Sequence, residues 1–331
     1  KPWTKNLVLF SAMLASISTA MAEILGGGIA LNILFKIPTK LGAFLVMLFV
    51  LFMLYTNSYK KLEKTIVAFV SIIGFSFILE LTFIHIEWHQ AIIGLIKPTF
   101  PKNSMPVIMS VLGAVVMPHN LFLHSEIIQS RQWNLEDEKI IEKQLKYEFL
   151  DTFFSMFVGL VINSAMIIVA SSTFYEKHVQ VTELNQAYEM LKPMLGNSAS
   201  IIFAVALLFA GLSAAMTAGM SGGSIFSGIF KEPYDSKDIH TKLGIGITIV
   251  TSMLVVLMIS NYFDGLVYSQ MFLSMQLPIT VFTQIYLTSS KKVMGKYANS
   301  LTGKAALWVI GIVVAVLNVA LLLSYTMFGH I

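Results

Sequence analysis

Long apolar runs recur along this chain and are separated by short polar connections. About 20 apolar residues in a helix cross the ~30 Å hydrocarbon core of a bilayer. The runs show no period-2 alternation, and backbone groups in lipid must form their hydrogen bonds within their own segment. The sequence therefore predicts an all-α polytopic membrane protein with about nine transmembrane helices. These lie near 6–35, 41–58, 65–86, 104–130, 147–174, 197–230, 242–262, 264–288 and 303–328.

The composition agrees with a bundle that fills the membrane. Hydrophobic residues make up 56% of the chain and charged residues only 12%, whereas soluble domains carry about 25% charged residues. None of the polar connections is rich enough in Pro, Gly or Ser to be an interdomain linker, so we predict one transmembrane domain over residues 1–331. The chain has no cysteine, which excludes disulfides and thiolate metal sites.

The positive charges indicate which side of the membrane each connection faces. With the N-terminus inside, 16 of the 22 Lys and Arg residues fall on inner connections and 6 on outer ones. The positive-inside rule then places the N-terminus of this chain in the cytoplasm and its C-terminus outside. No basic tract interleaved with aromatic residues points to a nucleic-acid partner. No phosphate-binding glycine loop or nucleophile motif is present, so ATP-driven transport by this chain is not supported. We expect neither an enzyme nor a bound cofactor.

The fourth run carries a helix-breaking motif near its middle. Pro118 cannot donate a backbone N–H to the carbonyl of Ala114, and Gly113 weakens the helix further. A free carbonyl would then lie beside the thioether of Met117, and a soft sulfur ligand favours transition metals over Ca²⁺ or Mg²⁺. A simple proline kink with a core methionine is the alternative from the residues alone.

We single out three of the ionisable residues inside these apolar runs. His119 and His124 follow the proline, and Glu23 lies midway along the first run. Ionisable groups in a membrane helix are costly and commonly face a polar path, and histidine can transfer protons near neutral pH. A proton or ion path is one interpretation; a buried histidine and a structural hydrogen bond of Glu23 are the alternatives.

Small and amide residues predict close helix contacts. The sixth run has small residues at strict fourfold spacing, typical of tight helix packing: Gly211, Ala215, Gly219, Gly223 and Ser227. Gln270 and Gln276 in the eighth run can either join helices by hydrogen bonds or line a cavity. The stretch from His85 to His89 is interpreted as a membrane-interface turn anchored by Trp88.

The stretch Met117-Pro118-His119-Asn120-Leu121-Phe122-Leu123-His124-Ser125 resembles the natural resistance-associated macrophage protein (Nramp) family of divalent metal transporters. Residues 22–35, 269–278 and 307–318 are similar to the third, tenth and eleventh helices of that family. The resemblance extends over essentially the whole chain.

The resemblance implies a leucine-transporter-like fold of two inverted five-helix repeats, with the first and sixth helices broken at the metal site. It implies that Met117 and the Ala114 carbonyl bind metal and that Gln270 joins them in some states, with Gln276 as the alternative. His119, His124 and Glu23 match positions associated with proton movement. The implied activity is proton-coupled import of Mn²⁺ or Fe²⁺, and of Co²⁺ or Cd²⁺ as further substrates, across a bacterial-type plasma membrane.

Two departures from the family pattern limit these expectations. The Asp-Pro-Gly-Asn motif of the first family helix is absent, since this chain resembles the family from its third helix onward. The first two family helices, and half of the metal ligands, are therefore expected to be missing from this chain. Ala20 stands where many relatives have an acidic residue. The alternatives are a non-transporting membrane receptor on the same fold and a transporter of organic solutes; the sequence does not specify an oligomeric state.

Overall fold

The computed structural model describes residues 2–57, 59–82, 84–97, 99, 104–130, 137–175 and 197–328. All regular secondary structure within these ranges is helical, as predicted. The α-helices are α1 (Pro2–Phe35), α2 (Thr39–Thr56), α3 (Tyr59–Leu81), α4 (Trp88–Ile96), α5 (Met105–Val115), α6 (Pro118–Ser130), α7 (Glu138–Ala170), α8 (Asn197–Ile229), α9 (Ile239–Met258), α10 (Tyr262–Thr288), α11 (Lys291–Met294) and α12 (Leu301–Phe328). A π-helical turn over Ser171–Tyr175 follows α7, and a 3₁₀ turn over Gly295–Tyr297 follows α11.

Eight segments of the described chain are long and apolar enough to cross a membrane, one fewer than predicted. The difference is the predicted span over 264–288, which forms helix α10. This helix has 27 residues, enough to cross a bilayer. Its hydropathy is lower than that of the eight candidate spans because it contains several polar residues. Those that are buried include Ser269, Gln270, Ser274, Gln276 and Thr280.

Two predicted connections contain helix instead. The connection over 87–103 includes α4, which begins at Trp88. The connection over 131–146 includes the first turns of α7, since Asp137 caps this helix by accepting hydrogen bonds from the N–H groups of Lys139 and Ile140. This part of the connection is thus continuous with the following span. Residues 131–136 and most of the predicted connection over 175–196 lie outside the described residues.

The chain divides into two compact units. Unit 1 comprises residues 1–22, 100–123 and 215–331, and unit 2 comprises residues 23–99 and 124–214. Helices α1, α6 and α8 each contribute residues to both units.

In unit 1, helix α10 packs against α5 and α12. Met109 and Met271 form an apolar cluster between α5 and α10. The Ser274 hydroxyl donates to the Asn318 side chain, and Ser18 donates to the Ser269 carbonyl at 2.9 Å. Hydroxyl groups thus join helices that are distant in sequence, an arrangement common in membrane bundles.

In unit 2, helix α3 packs against α7. Phe77, Ala165 and Ala206 form the apolar cluster that joins α3, α7 and α8. A Cβ added to Gly28 would lie 2.6 Å from the backbone nitrogen of Ala43, so α1 and α2 approach each other at their backbones.

The small-residue series of α8 makes the close contacts that its spacing predicts. In unit 2, a Cβ on Gly211 would lie 2.7 Å from the carbonyl oxygen of Glu23 in α1. In unit 1, a Cβ on Gly223 would lie 2.9 Å from Cγ1 of Ile245 in α9. Side chains at these positions would force the helices apart, so the packing interpretation is confirmed.

Candidate metal centre

The predicted helix break is present. Helix α5 ends at Val115 and helix α6 begins at Pro118. Between them Val116 leaves the helical conformation, with φ −111° and ψ 82°. Because Pro118 has no N–H, the carbonyl of Ala114 lacks the donor that an unbroken helix would supply four residues later.

Met117 lies in the break itself and is partly buried. The Asn120 side chain donates from Nδ2 to the Met117 sulfur at 3.4 Å. Asn120 Oδ1 is buried and has no hydrogen-bond partner in the described part of the chain. A thioether with one weak donor beside it keeps a lone pair available to a soft cation.

Gly113 brings the end of α5 against α10. A Cβ built on Gly113 would overlap the carbonyl oxygen of Gln270 and lie 2.8 Å from the nitrogen of Ser274. Only a residue without a side chain allows this approach. The contact places Ala114, the next residue, beside the turn of α10 that carries Gln270.

The two candidate amides of α10 differ in their hydrogen bonds. Gln276 donates to Ser11 at 3.1 Å and to Thr280 at 2.9 Å, and its oxygen accepts from Thr280 at 3.0 Å. Gln270 makes only a 3.4 Å bond from its amide nitrogen to Ser269. Its oxygen is buried without a hydrogen-bond partner among the described residues. Gln276 therefore joins helices, and Gln270 is the amide with an acceptor still available.

His119 lies in the first turn of α6 and is completely buried. Neither ring nitrogen has a hydrogen-bond partner within the described residues. Its carbonyl oxygen accepts a 2.8 Å bond from the Ser221 hydroxyl of α8, which fixes the backbone in unit 1. A buried imidazole with two unpaired nitrogens can bind a proton or a water molecule.

The other two predicted proton-path residues belong to unit 2. His124 Nε2 lies 3.4 Å from Glu148 Oε1 in α7, and the two side chains are 51% and 14% exposed. Glu23 is partly buried in α1, where Gly211 of α8 approaches its carbonyl oxygen. Glu148 follows a predicted cytoplasmic connection, and the sequence alone gave no indication that it would pair with His124.

Sequence reasoning also missed Glu80 in helix α3. Its carboxylate is fully buried, and neither oxygen has a hydrogen-bond partner in the described ranges. A carboxyl group within an apolar run is the signal that could have identified it. Of its neighbours in the same turn, Ser76 directs its hydroxyl to the carbonyl of Ile72 instead.

We expect Glu80→Leu to stabilise the protein. An unsatisfied buried polar group costs about 1–3 kcal/mol, and leucine of similar size removes that cost. Thermal unfolding in detergent should show a higher melting temperature. Glu87→Leu, at an exposed position of the same unit, is the control and should change stability by less than about 0.5 kcal/mol. A clear loss of stability in Glu80→Leu would contradict the assignment of Glu80 as unpaired.

Comparisons with known proteins find relatives over most of this chain. The family model described as "Natural resistance-associated macrophage protein-like" matches residues 1–324. A divalent metal cation transporter MntH of Nostoc sp. is 34% identical over 315 residues, covering 92% of this chain and 70% of the relative. The MntH of Listeria monocytogenes is 33% identical over 325 residues, covering 94% of this chain and 71% of the relative.

Solved structures of the Eremococcus coleocola manganese transporter have a similar fold. The complex with an aromatic bis-isothiourea compound aligns with a TM-score of 0.79 at 25% identity, covering 96% of this chain and 71% of that one. A variant of the same transporter aligns with a TM-score of 0.82 at 25% identity, covering 99% and 74%.

Proposed function

This chain belongs to the natural resistance-associated macrophage protein (Nramp) family, and on that premise we propose that it is a secondary transporter importing divalent transition-metal ions. The substrate class follows from the relatives, which are named divalent metal cation transporters and manganese transporters. We further propose Mn²⁺ or Fe²⁺ as substrate, with Co²⁺ and Cd²⁺ as further substrates of the same ligand set.

The interruption between α5 and α6 is the observation that carries this proposal. It frees the Ala114 carbonyl beside the Met117 thioether within a segment long and apolar enough to span a membrane. The side-chain oxygen of Gln270, which has no hydrogen-bond partner in the described part of the chain, belongs to the neighbouring turn of α10. A sulfur among oxygen ligands suits Mn²⁺ or Fe²⁺ and disfavours Ca²⁺ and Mg²⁺, which prefer oxygen alone. We assign Met117, Ala114 and Gln270 as metal ligands on this basis.

We propose that protons accompany the metal through His119, His124 and Glu23. His119 is buried two residues after Met117, and neither ring nitrogen has a hydrogen-bond partner among the described residues. His124 is half exposed and lies 3.4 Å from Glu148, so its side chain is open to solvent. Histidine suits this role because it gains and loses a proton near neutral pH.

The proposed orientation follows from the positive charges. The excess of Lys and Arg on one set of connections favours an N-terminus in the cytoplasm and a C-terminus outside. A broken helix at a fixed central site is typical of transporters that open alternately to either side, and alternating access is proposed on that basis. Import as the direction and the plasma membrane as the location are proposed from the resemblance to the family.

Flux through reconstituted liposomes tests the proposal. The protein should carry Mn²⁺ into liposomes, where the metal quenches a trapped metal-sensitive dye. Protons that enter with the metal should acidify the lumen. Ca²⁺ should give little dye signal. Mn²⁺ entry without acidification would contradict the proton coupling alone. Folded protein that gives no Mn²⁺ flux would contradict transport and favour a membrane receptor on the same fold.

A further inference from the structure

A second group of metal-ligating side chains lies in the connection between α8 and α9, in unit 1. Ligand atoms of Glu232, Asp238 and His240 all lie within 4.8 Å of one another. Among the described residues, this is the group in which three such side chains converge. It includes neither the thioether nor the carbonyl of the site between α5 and α6.

Glu232 is fixed by the end of helix α8. The N–H of Glu232 donates to the Ser227 carbonyl at 3.2 Å, and the N–H of Lys231 donates to the Gly228 carbonyl at 3.2 Å. Lys231 has φ 65°, in the left-handed region where glycine is usual. This is the Schellman arrangement that ends many helices. It holds the Glu232 backbone at a defined position directly after the helix.

Asp238 is fixed by the start of helix α9. Its carboxylate caps the helix by accepting the N–H of Thr241 at 2.9 Å. Metals bind the deprotonated carboxylate, and the cap holds the Asp238 carboxylate at a defined position.

His240 is fixed by an aromatic ring and by Glu232. Its imidazole stacks on Phe230 with ring centroids 3.8 Å apart and an interplanar angle of 13°. Its Nδ1 lies 2.6 Å from Glu232 Oε2. The His240 and Glu232 side chains are 29% and 41% exposed, so an ion can reach them from solvent. An ion pair needs only one carboxylate beside the imidazole. Here two carboxylates converge on an imidazole whose ring is held by stacking.

We propose that Glu232, Asp238 and His240 form a second binding site for a divalent transition-metal ion. Imidazole suits first-row transition metals, and two carboxylates add charge while leaving positions open for water. The ion would bind between His240 Nδ1 and the Glu232 carboxylate, in place of the hydrogen bond that now joins them. The imidazole proton would then be on Nε2. Bound metal would link the end of α8 to the start of α9. The site faces the cytoplasm in the orientation proposed above, and its existence does not depend on transport.

Binding of Mn²⁺ itself tests the site, with free Mn²⁺ counted by electron paramagnetic resonance in detergent solution. The Met117→Ala variant serves as background, so that binding at the first site is weakened. This background should still bind Mn²⁺, and adding Asp238→Ser or His240→Ala should weaken the affinity about tenfold or more. Serine keeps the helix cap while removing the carboxylate, which separates ligand loss from misfolding.

His85→Ala is the matched control, because His85 pairs with Glu87 at 3.5 Å and is not part of such a three-residue group. It should leave Mn²⁺ binding unchanged. Two results would overturn the proposal: a Met117→Ala protein that binds no Mn²⁺, or equal affinity with and without Asp238→Ser and His240→Ala. In protein with Met117 intact, His240→Ala should likewise remove the binding of one Mn²⁺ ion. Neither readout uses flux, so failure of the transport proposal would leave this test intact.

Discussion

Gly113→Ala is expected to destabilise unit 1 and to reduce Mn²⁺ transport sharply. The new Cβ would overlap the Gln270 carbonyl oxygen and lie 2.8 Å from the Ser274 nitrogen. Both are backbone atoms of α10, so no side chain can rotate away and the helices must separate. Overpacking of this kind costs about 1–3 kcal/mol or more. The separation would also move Gln270 away from Ala114, which follows Gly113 directly.

The measurements are the melting temperature in detergent and Mn²⁺ uptake by liposomes. Gly159→Ala is the matched control, since Gly159 lies within helix α7 and an added Cβ would meet no atom within 4 Å. Alanine should stabilise a helix at such a position by up to about 1 kcal/mol. Equal behaviour of the two variants would mean that α5 and α10 are not in backbone contact.

Met117→Ala is expected to weaken Mn²⁺ uptake about 10- to 100-fold, as changes in metal sites typically do. It should also allow Ca²⁺ to compete more effectively with Mn²⁺. The thioether is the soft ligand of the proposed set, and without it only oxygen ligands remain, which hard cations prefer. Competition between Mn²⁺ and Ca²⁺ in the liposome assay measures both effects.

Met156→Ala is the control for this substitution. Met156 lies in α7 with an exposed side chain, so its loss should change neither uptake nor selectivity. Unchanged selectivity in Met117→Ala would count against Met117 as a ligand, even if the rate of uptake fell.

The helix break could be predicted from the sequence because its cause is local. Pro118 lacks the N–H that Ala114 would need, whatever surrounds the helix. The spacing of small residues in α8 is equally local, and it predicted close packing without naming the partner helices. Most of the long helices followed from apolar length in the same way.

Pairings between distant residues could not be predicted in this way. Gln270 and Gln276 are both amides in one helix, and only the positions of Ser11 and Thr280 show which of them is already paired. The contact of His124 with Glu148 joins two helices whose facing sides the sequence leaves undefined.

The polarity of α10 and the burial of Glu80 show a second limit of prediction from the sequence. Helix α10 has no stretch as apolar as those of the eight candidate spans, and several of its polar side chains are buried. Average hydropathy does not report which side of a helix its polar residues face. Glu80 has the sequence signature of an ionisable group in a span, but its isolation is visible only once its neighbours are placed.

X-ray absorption at the manganese edge examines the proposed ligands directly. Mn²⁺ bound to the protein should show one sulfur neighbour among oxygen neighbours, and Met117→Ala should remove the sulfur. A shell containing only oxygen and nitrogen in the unaltered protein would contradict the proposal that the interrupted helix offers its thioether to the metal.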